Sequence, residues 1–170
     1  MGAPGGQPQR PPFSVAFKTL GCKLNQYDTE GLRERLLEAG MRVVAFEEPA
    51  DVFIINSCTV TSRSDRDCRH LVRQARRRNP AARIVVTGCY AQRRPQDLLA
   101  MPQVDLVVGL QDRQHLVQLL STPSDSQPRS LVSDISLKRQ FADLTPRHFA
   151  RHTRAFLKIQ DGCDEHCSYC

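Results

Sequence analysis

Cys163, Cys167 and Cys170 stand at CxxxCxxC spacing within the last eight residues of the 170-residue sequence. Three thiolates this close together can all reach one soft metal centre. Iron–sulfur clusters are as a rule held by four cysteine thiolates, so a loop of three fits a [4Fe–4S] cluster with one iron left open. An open coordination position is what a metal site needs when it binds a substrate or cofactor rather than bracing a fold. A zinc site with His166 as fourth ligand, or three unconnected thiols, are the plainer readings of the same spacing. The loop follows the apolar-alternating run 155–159, which reads as a strand.

Of the four remaining cysteines, Cys22, Cys58 and Cys89 share a position. Each falls one to three residues beyond the C-terminal end of an expected strand. In a parallel sheet those ends lie along one edge, where α/β proteins bind their ligands. Cysteine also packs well as a small apolar residue, so one such placement would be bland. Three equivalent placements point to a second thiolate metal site. Gly21 and Gly88 directly precede two of the three, where a glycine permits a sharp turn or a close backbone approach. Cys68 lies within an expected helix beside Leu71 and Val72 and is left out of the site.

The elements that must position these residues alternate. Strands are expected at 13–19, 42–46, 52–56, 83–87 and 104–108, the third apolar on both faces as in a buried parallel sheet. Between them the sequence predicts a helix capped by Asn25 or Asp28, with Leu32, Leu36 and Leu37 inward and Gly40 as its stop. A second helix, capped by Thr61 or Ser62, runs to about Asn79 with Leu71, Val72 and Ala75 inward. A short helix starts near Pro95, and another runs from an Asp112 cap to Leu120. Strand–helix alternation predicts an α/β domain, a parallel sheet flanked by helices in the Rossmann or flavodoxin-like manner. The domain is expected over 13–121, after a Pro- and Gly-rich disordered tail at 1–12. Residues 122–153 are expected to be a linker, and 154–170 to open a second domain that is truncated here.

Composition narrows the setting. The net charge is +6, and seven cysteines is an odd number. The N-terminus lacks the apolar core of a secretory signal, and no apolar run is long enough to span a bilayer. A cytoplasmic, reducing compartment is expected, where cysteines serve as ligands more often than as disulfides. The sequence contains no GxGxxG or GxxxxGK[ST] phosphate loop. Positions 63–94 hold ten arginines against Asp65 and Asp67, a local net of +8. Such a stripe is the electrostatic footprint of phosphate binding, and Arg73, Arg76, Arg77 and Arg78 are its candidate RNA contacts. A solvated helix face is the alternative, since cations near a helix C-terminus are also favoured by its dipole.

The aromatic residue before the third cysteine of CxxxCxxC makes that loop resemble the radical S-adenosylmethionine (SAM) enzymes. Three further stretches are similar to the N-terminal domain of the methylthiotransferases within that superfamily. They are Thr19-Leu20-Gly21-Cys22-Lys23-Leu24-Asn25-Gln26-Tyr27-Asp28-Thr29-Glu30, Asn56-Ser57-Cys58-Thr59-Val60-Thr61 and Thr87-Gly88-Cys89-Tyr90-Ala91-Gln92. The segment from Asp161 to Cys170 resembles the start of their radical-SAM barrel. The resemblance implies two [4Fe–4S] clusters, an auxiliary one on Cys22, Cys58 and Cys89 and a SAM-cleaving one on Cys163, Cys167 and Cys170. It implies that one SAM supplies a methyl group, that another supplies the radical abstracting hydrogen, and that an electron donor of reductase or flavodoxin type is needed. The implied product is a C–S–CH₃ group on adenosine 37 of tRNA, and the GCKLNQYDTE and QDGC wording is most similar to the subgroup acting on threonylcarbamoyladenosine. An isopentenyladenosine or a ribosomal-protein aspartate is the alternative substrate, and a non-catalytic metal-binding RNA module is the alternative of another class.

Overall fold

The computed structural model describes residues 13–121, 129–137, 144–147 and 156–160. The tail at 1–12 and Cys163, Cys167 and Cys170 lie outside the described residues. Six parallel strands form one sheet: β1 (Ser14–Thr19), β2 (Arg42–Val44), β3 (Val52–Ser57), β4 (Arg83–Gly88), β5 (Leu106–Val108) and β6 (Arg129–Leu131). Their spatial order is β2-β1-β3-β4-β5-β6, the flavodoxin-like order with a strand added at one edge. All six residues of β3 are buried, as its unbroken apolar run requires.

Alternate strand residues face opposite sides of the sheet. One side carries Ala16, Phe53, Ile55, Ile84, Val86 and Val107 against Cys68, Leu71, Val72 and Ala75 of α2 (Ser62–Arg78). Tyr90 and Ala91 of α3 (Cys89–Arg93) and Leu98 of α4 (Pro95–Leu99) complete that layer. The other side packs Val15, Ile54, Val85, Leu106 and Val108 against Leu32 and Leu36 of α1 (Lys23–Glu38) and Leu116 and Leu120 of α5 (Leu116–Ser121). Right-handed crossovers account for α1 and α2 lying on opposite faces, because β1 leads outward to β2 while β3 leads the other way to β4. Among the described residues no helix is long and apolar enough to cross a membrane.

Several local expectations are corrected. Asn25 and Asp28 do not cap α1; the helix begins at Lys23, and Cys22 holds the N-cap position with no side-chain bond. Both side chains instead turn inward and are buried. Leu37 is exposed rather than inward. Asp112 opens a 3-10 turn, Asp112–His115, before α5, and its carboxylate accepts from Ser133 N (2.7 Å) and Ser133 Oγ (2.6 Å) instead of capping a helix. That bond brings part of the expected linker onto the sheet, where β6 pairs with β5. Thr61 does cap α2, its Oγ1 accepting from Ser64 N at 3.1 Å. Residues 156–160 are not a strand, since no neighbouring strand pairs with them among the described residues.

Candidate metal centre

β1, β3 and β4 are adjacent and in register at their C-terminal ends, where Thr19 pairs with Asn56, Asn56 with Thr87, and Ser57 with Gly88. Cys22 follows β1, Cys58 follows β3 and Cys89 follows β4. The three expected ligands therefore stand at the ends of three neighbouring strands. Two of them flank the point where the strand order reverses, the crevice that open α/β sheets use for ligands. None of the three is in a disulfide; Cys22 is exposed, Cys58 buried and Cys89 half-buried.

Close backbone packing shapes this edge. Gly21 has φ +97°, and a Cβ there would lie 2.7 Å from Cys58 Cβ and 2.9 Å from its Sγ. The turn bearing Cys22 is thus pressed directly against Cys58. Gly88, at φ 94° and ψ −164°, occupies a region reserved in practice for glycine. A Cβ there would overlap the Ser57 carbonyl oxygen and approach Asn56 Oδ1 to 2.5 Å. Only glycine before Cys89 permits that approach.

Beneath the thiols lies a buried amide and hydroxyl network. Asn25 Nδ2 donates to Leu20 O (2.8 Å) and Ser57 O (3.1 Å), tying the ends of β1 and β3 to α1. Asn56 Nδ2 donates to Asn25 O (2.8 Å) and Thr29 Oγ1 (3.0 Å). Asn56 Oδ1 and Thr87 Oγ1 are buried with no hydrogen-bond partner among the described residues. Tyr90, beside Cys89, is fastened by Arg69, whose Nη1 donates to its hydroxyl at 2.7 Å. Burial raises the Tyr90 phenol above its ordinary pKa, opposed by that bond. One helical turn beyond Asn25 in α1, Asp28 Oδ2 pairs with Arg113 Nη2 at 2.9 Å and its Oδ1 with Lys158 Nζ at 3.3 Å, all three side chains almost fully buried.

An all-sulfur donor set fits a soft centre, zinc or iron–sulfur, and not a hard cation. Among the described residues no group of three or more His, Cys, Asp or Glu could hold a metal ion. A four-iron cluster places each thiolate on a different iron. Its ligands can therefore sit around a larger object than a single ion, as strand ends side by side do. Cys68 is fully buried, and burial, with Asp65 adding to it, pushes its thiol up to about 12. It stays protonated and apart from the site.

The basic stripe divides. Arg73 and Arg77 are exposed, as are Arg63 and Arg66 in the first turns of α2. Arg76 is held within the fold: Nη1 donates to Pro80 O (2.8 Å) and Ala82 O (2.7 Å), and Nη2 to Gln103 O (2.9 Å) and Asp105 Oδ2 (2.7 Å). The Arg78 guanidinium lies 5.0 Å from the centre of the Phe46 ring. α2 runs back antiparallel to the strands, so its 17 residues place Arg76, Arg77 and Arg78 about 20 Å from the cysteine edge at 1.5 Å per residue. Sequence reasoning missed the Asp28–Arg113–Lys158 cluster. Its signal was available: Asp28 stands one turn before Leu32 on the inward face of α1, where a carboxylate needs a cation.

A family profile described as uncharacterized protein family UPF0004 matches residues 14–109. The chain is 45% identical over 158 residues to a threonylcarbamoyladenosine tRNA methylthiotransferase of Bacillus subtilis, covering 92% of this chain and 35% of that protein. It is 41% identical over 159 residues to the enzyme of that name from Aquifex aeolicus, covering 93% and 39%. A tRNA-2-methylthio-N(6)-dimethylallyladenosine synthase of Bartonella quintana is 32% identical over 179 residues, covering 98% and 39%. The chain thus spans between 35% and 39% of the length of these relatives. The profile match takes in more than half of the sequence and all three strand-end cysteines, and this protein belongs to the uncharacterized protein family UPF0004.

Proposed function

We propose that this chain is the auxiliary-cluster domain, and the entry to the SAM-cleaving domain, of a tRNA methylthiotransferase acting on N6-threonylcarbamoyladenosine at position 37. The observation that carries the reading is the adjacency of Cys22, Cys58 and Cys89 at the ends of β1, β3 and β4. These three would hold the auxiliary [4Fe–4S] cluster, and Cys163, Cys167 and Cys170 the SAM-cleaving one. When bound, the clusters and SAM supply sulfur delivery, hydrogen abstraction and methyl transfer. The chain's own residues hold and shield the site. Gly21 and Gly88 let two cysteine-bearing turns run close to the neighbouring strand end. Asn25 and Asn56 fix those ends through buried bonds. The exposed arginines Arg63, Arg66, Arg73 and Arg77 face solvent where a phosphate backbone can reach them. A tRNA substrate sets the work in the cytoplasm, with a reductase or flavodoxin-type electron donor. Higher identity to the threonylcarbamoyladenosine enzymes than to the dimethylallyladenosine synthase favours the first substrate.

Mass spectrometry of tRNA nucleosides from cells lacking the gene tests the reading. The expected result is loss of the 2-methylthio group from threonylcarbamoyladenosine, restored by the intact gene and not by a Cys58→Ala copy. An unchanged nucleoside, or loss confined to isopentenyladenosine, overturns it.

A further inference from the structure

Lys158 lies five residues before Cys163 in sequence, yet its ammonium is buried against the N-terminal domain. Its side chain is 6% exposed, and those of its partners Asp28 and Arg113 are 3% and 2% exposed. The neighbouring apolar residues are turned the other way: Leu157 is 86% exposed and Ile159 82%. Hydrophobicity alone would bury the two aliphatic side chains and leave the lysine in water. Here the charge decides the orientation. Phe156 makes a second contact, with Lys23 Nζ standing 5.8 Å from its ring centre. Lys23 directly follows Cys22, so residues 156–160 dock beside the first turn of α1, at the cysteine-bearing edge of the sheet.

The pairing supports a separate role for Lys158. Asp28 and Arg113 alone are a balanced buried pair that braces α1 against the turn before α5. Lys158 takes the other carboxylate oxygen, Oδ1, which that pair does not use. The brace is complete without it, so the third member is not needed for bracing. What it adds is register, the best-attested use of buried polar groups. Five residues of chain reach at most about 17 Å.

We infer that Lys158 is a positioning residue: its seat on Asp28 latches residues 156–160 to the cysteine-bearing edge, so that the chain leading to Cys163 starts from that edge. The latch itself needs no metal; its consequence for catalysis rests on the function proposed above.

Hydrogen exchange of the 170-residue chain tests the latch without any cluster. In Lys158→Met, which keeps the stem length and leaves Asp28–Arg113 balanced, amides 156–160 should exchange about ten times faster, while the melting of residues 13–121 is unchanged. Leu157→Ser should not alter exchange. Unchanged exchange in the Lys158 variant, or equal acceleration by Leu157→Ser, overturns the inference. In the cluster-loaded full-length enzyme, Lys158→Met should retain SAM cleavage while forming several-fold less methylthiolated nucleoside per SAM cleaved. Equal loss of cleavage and product would overturn the positioning role. If the unaltered enzyme makes no methylthiolated nucleoside, the proposed function fails and the exchange result stands by itself.

Discussion

The two ends of the sheet are polar in different ways. At the N-terminal ends of the strands, side chains brace the backbone. Asp51 Oδ2 accepts from Ser14 N (2.8 Å) and Ser14 Oγ (2.7 Å), joining β1 to β3. Asp105 Oδ2 accepts from Ile84 N and from Arg76, both at 2.7 Å, joining β4, β5 and α2. Their exposure is mixed: Ser14 is buried, Asp51 exposed, and the Arg76 and Asp105 side chains are 24% and 30% exposed. At the C-terminal ends Asn25, Asn56, Ser57 and Thr87 are buried, Asn56 Oδ1 and Thr87 Oγ1 have no partner among the described residues, Gly21 and Gly88 hold positive φ, and three cysteines follow neighbouring strands. Toward the other end Arg78 Nη1 is likewise buried with no partner among the described residues, so what sets the C-terminal ends apart is the two positive-φ glycines and the cysteines that follow them. Strain and orphaned polar groups persist where the surrounding fold over-determines them, and they cluster at functional sites. The contrast sets a braced end against the end where the function proposed above would place its chemistry.

The widest separation of the two ends should come from metal content. If the two clusters proposed above are present, Cys58→Ala should remove about four irons per chain from the cluster-loaded protein, one cluster's complement, and leave SAM cleavage intact. Arg76→Ala should remove none. Iron and sulfide analysis with a 5′-deoxyadenosine assay checks both. Iron loss in the Arg76 variant would dissolve the comparison.

Backbone strain gives the next effect. Gly88→Ala forces a Cβ onto the Ser57 carbonyl at φ 94° and should cost about 3 kcal/mol or more. Gly40→Ala, at φ +81° with nothing within 4 Å of the new Cβ, should cost about 1 kcal/mol. Urea unfolding of the 170-residue chain measures both. At the bracing end, Arg76→Ala removes four hydrogen bonds to the chain around β4 and β5 and should cost about 1–3 kcal/mol.

These positions also mark what the sequence made legible. The thiol row was readable because strands are short, alternate with helices and end in Gly-Cys or Ser-Cys, so equivalent positions in sequence become neighbours in space. The start of α1 was not. Asn25 and Asp28 have the chemistry of caps, and local propensity cannot see that Leu20 O and Ser57 O compete for the amide while Arg113 claims the carboxylate. Arg76 looked like its neighbours in an Arg-Arg-Arg run; only helix phase against the β4 and β5 ends separates it from exposed Arg73 and Arg77. Reading 122–153 as a linker missed β6, because a three-residue edge strand has little periodicity and its place depends on Asp112 reaching Ser133.

Helix phase yields a smaller, electrostatic prediction. Replacing Arg63 and Arg66 by Gln should lower the salt dependence of tRNA binding by about 0.7 to 0.9 per lost phosphate contact. The two lie at the cysteine end of α2 and should matter more than Arg73 and Arg77, nearer the bracing end. Filter binding from 50 to 200 mM salt compares the pairs. Equal slopes for all variants would leave the stripe a solvated face.

The smallest effect concerns the thiol outside the row. Burial raises the Cys68 thiol from its ordinary 9.0 to about 12. An acid whose pKa is raised on folding binds more protons in the native state than in the unfolded state between those two values. Stability then falls as pH rises. The Cys68 contribution is fully present below about pH 9 and is lost progressively toward pH 12. Tyr90, also raised by burial, adds to the slope in the same direction. Cys68→Ala removes one titrating group while keeping the site apolar, so its unfolding free energy should decline less steeply between pH 9 and 11 than that of the unaltered chain. The same burial should make Cys68 the slowest of the described thiols to alkylate in the native protein, with exposed Cys22 the fastest. Mass mapping of iodoacetamide adducts over time reads the order directly. A Cys68 that reacts as fast as Cys22 would show that the α2 face of the core opens readily, and the division between a rigid core and a reactive edge would have to be redrawn.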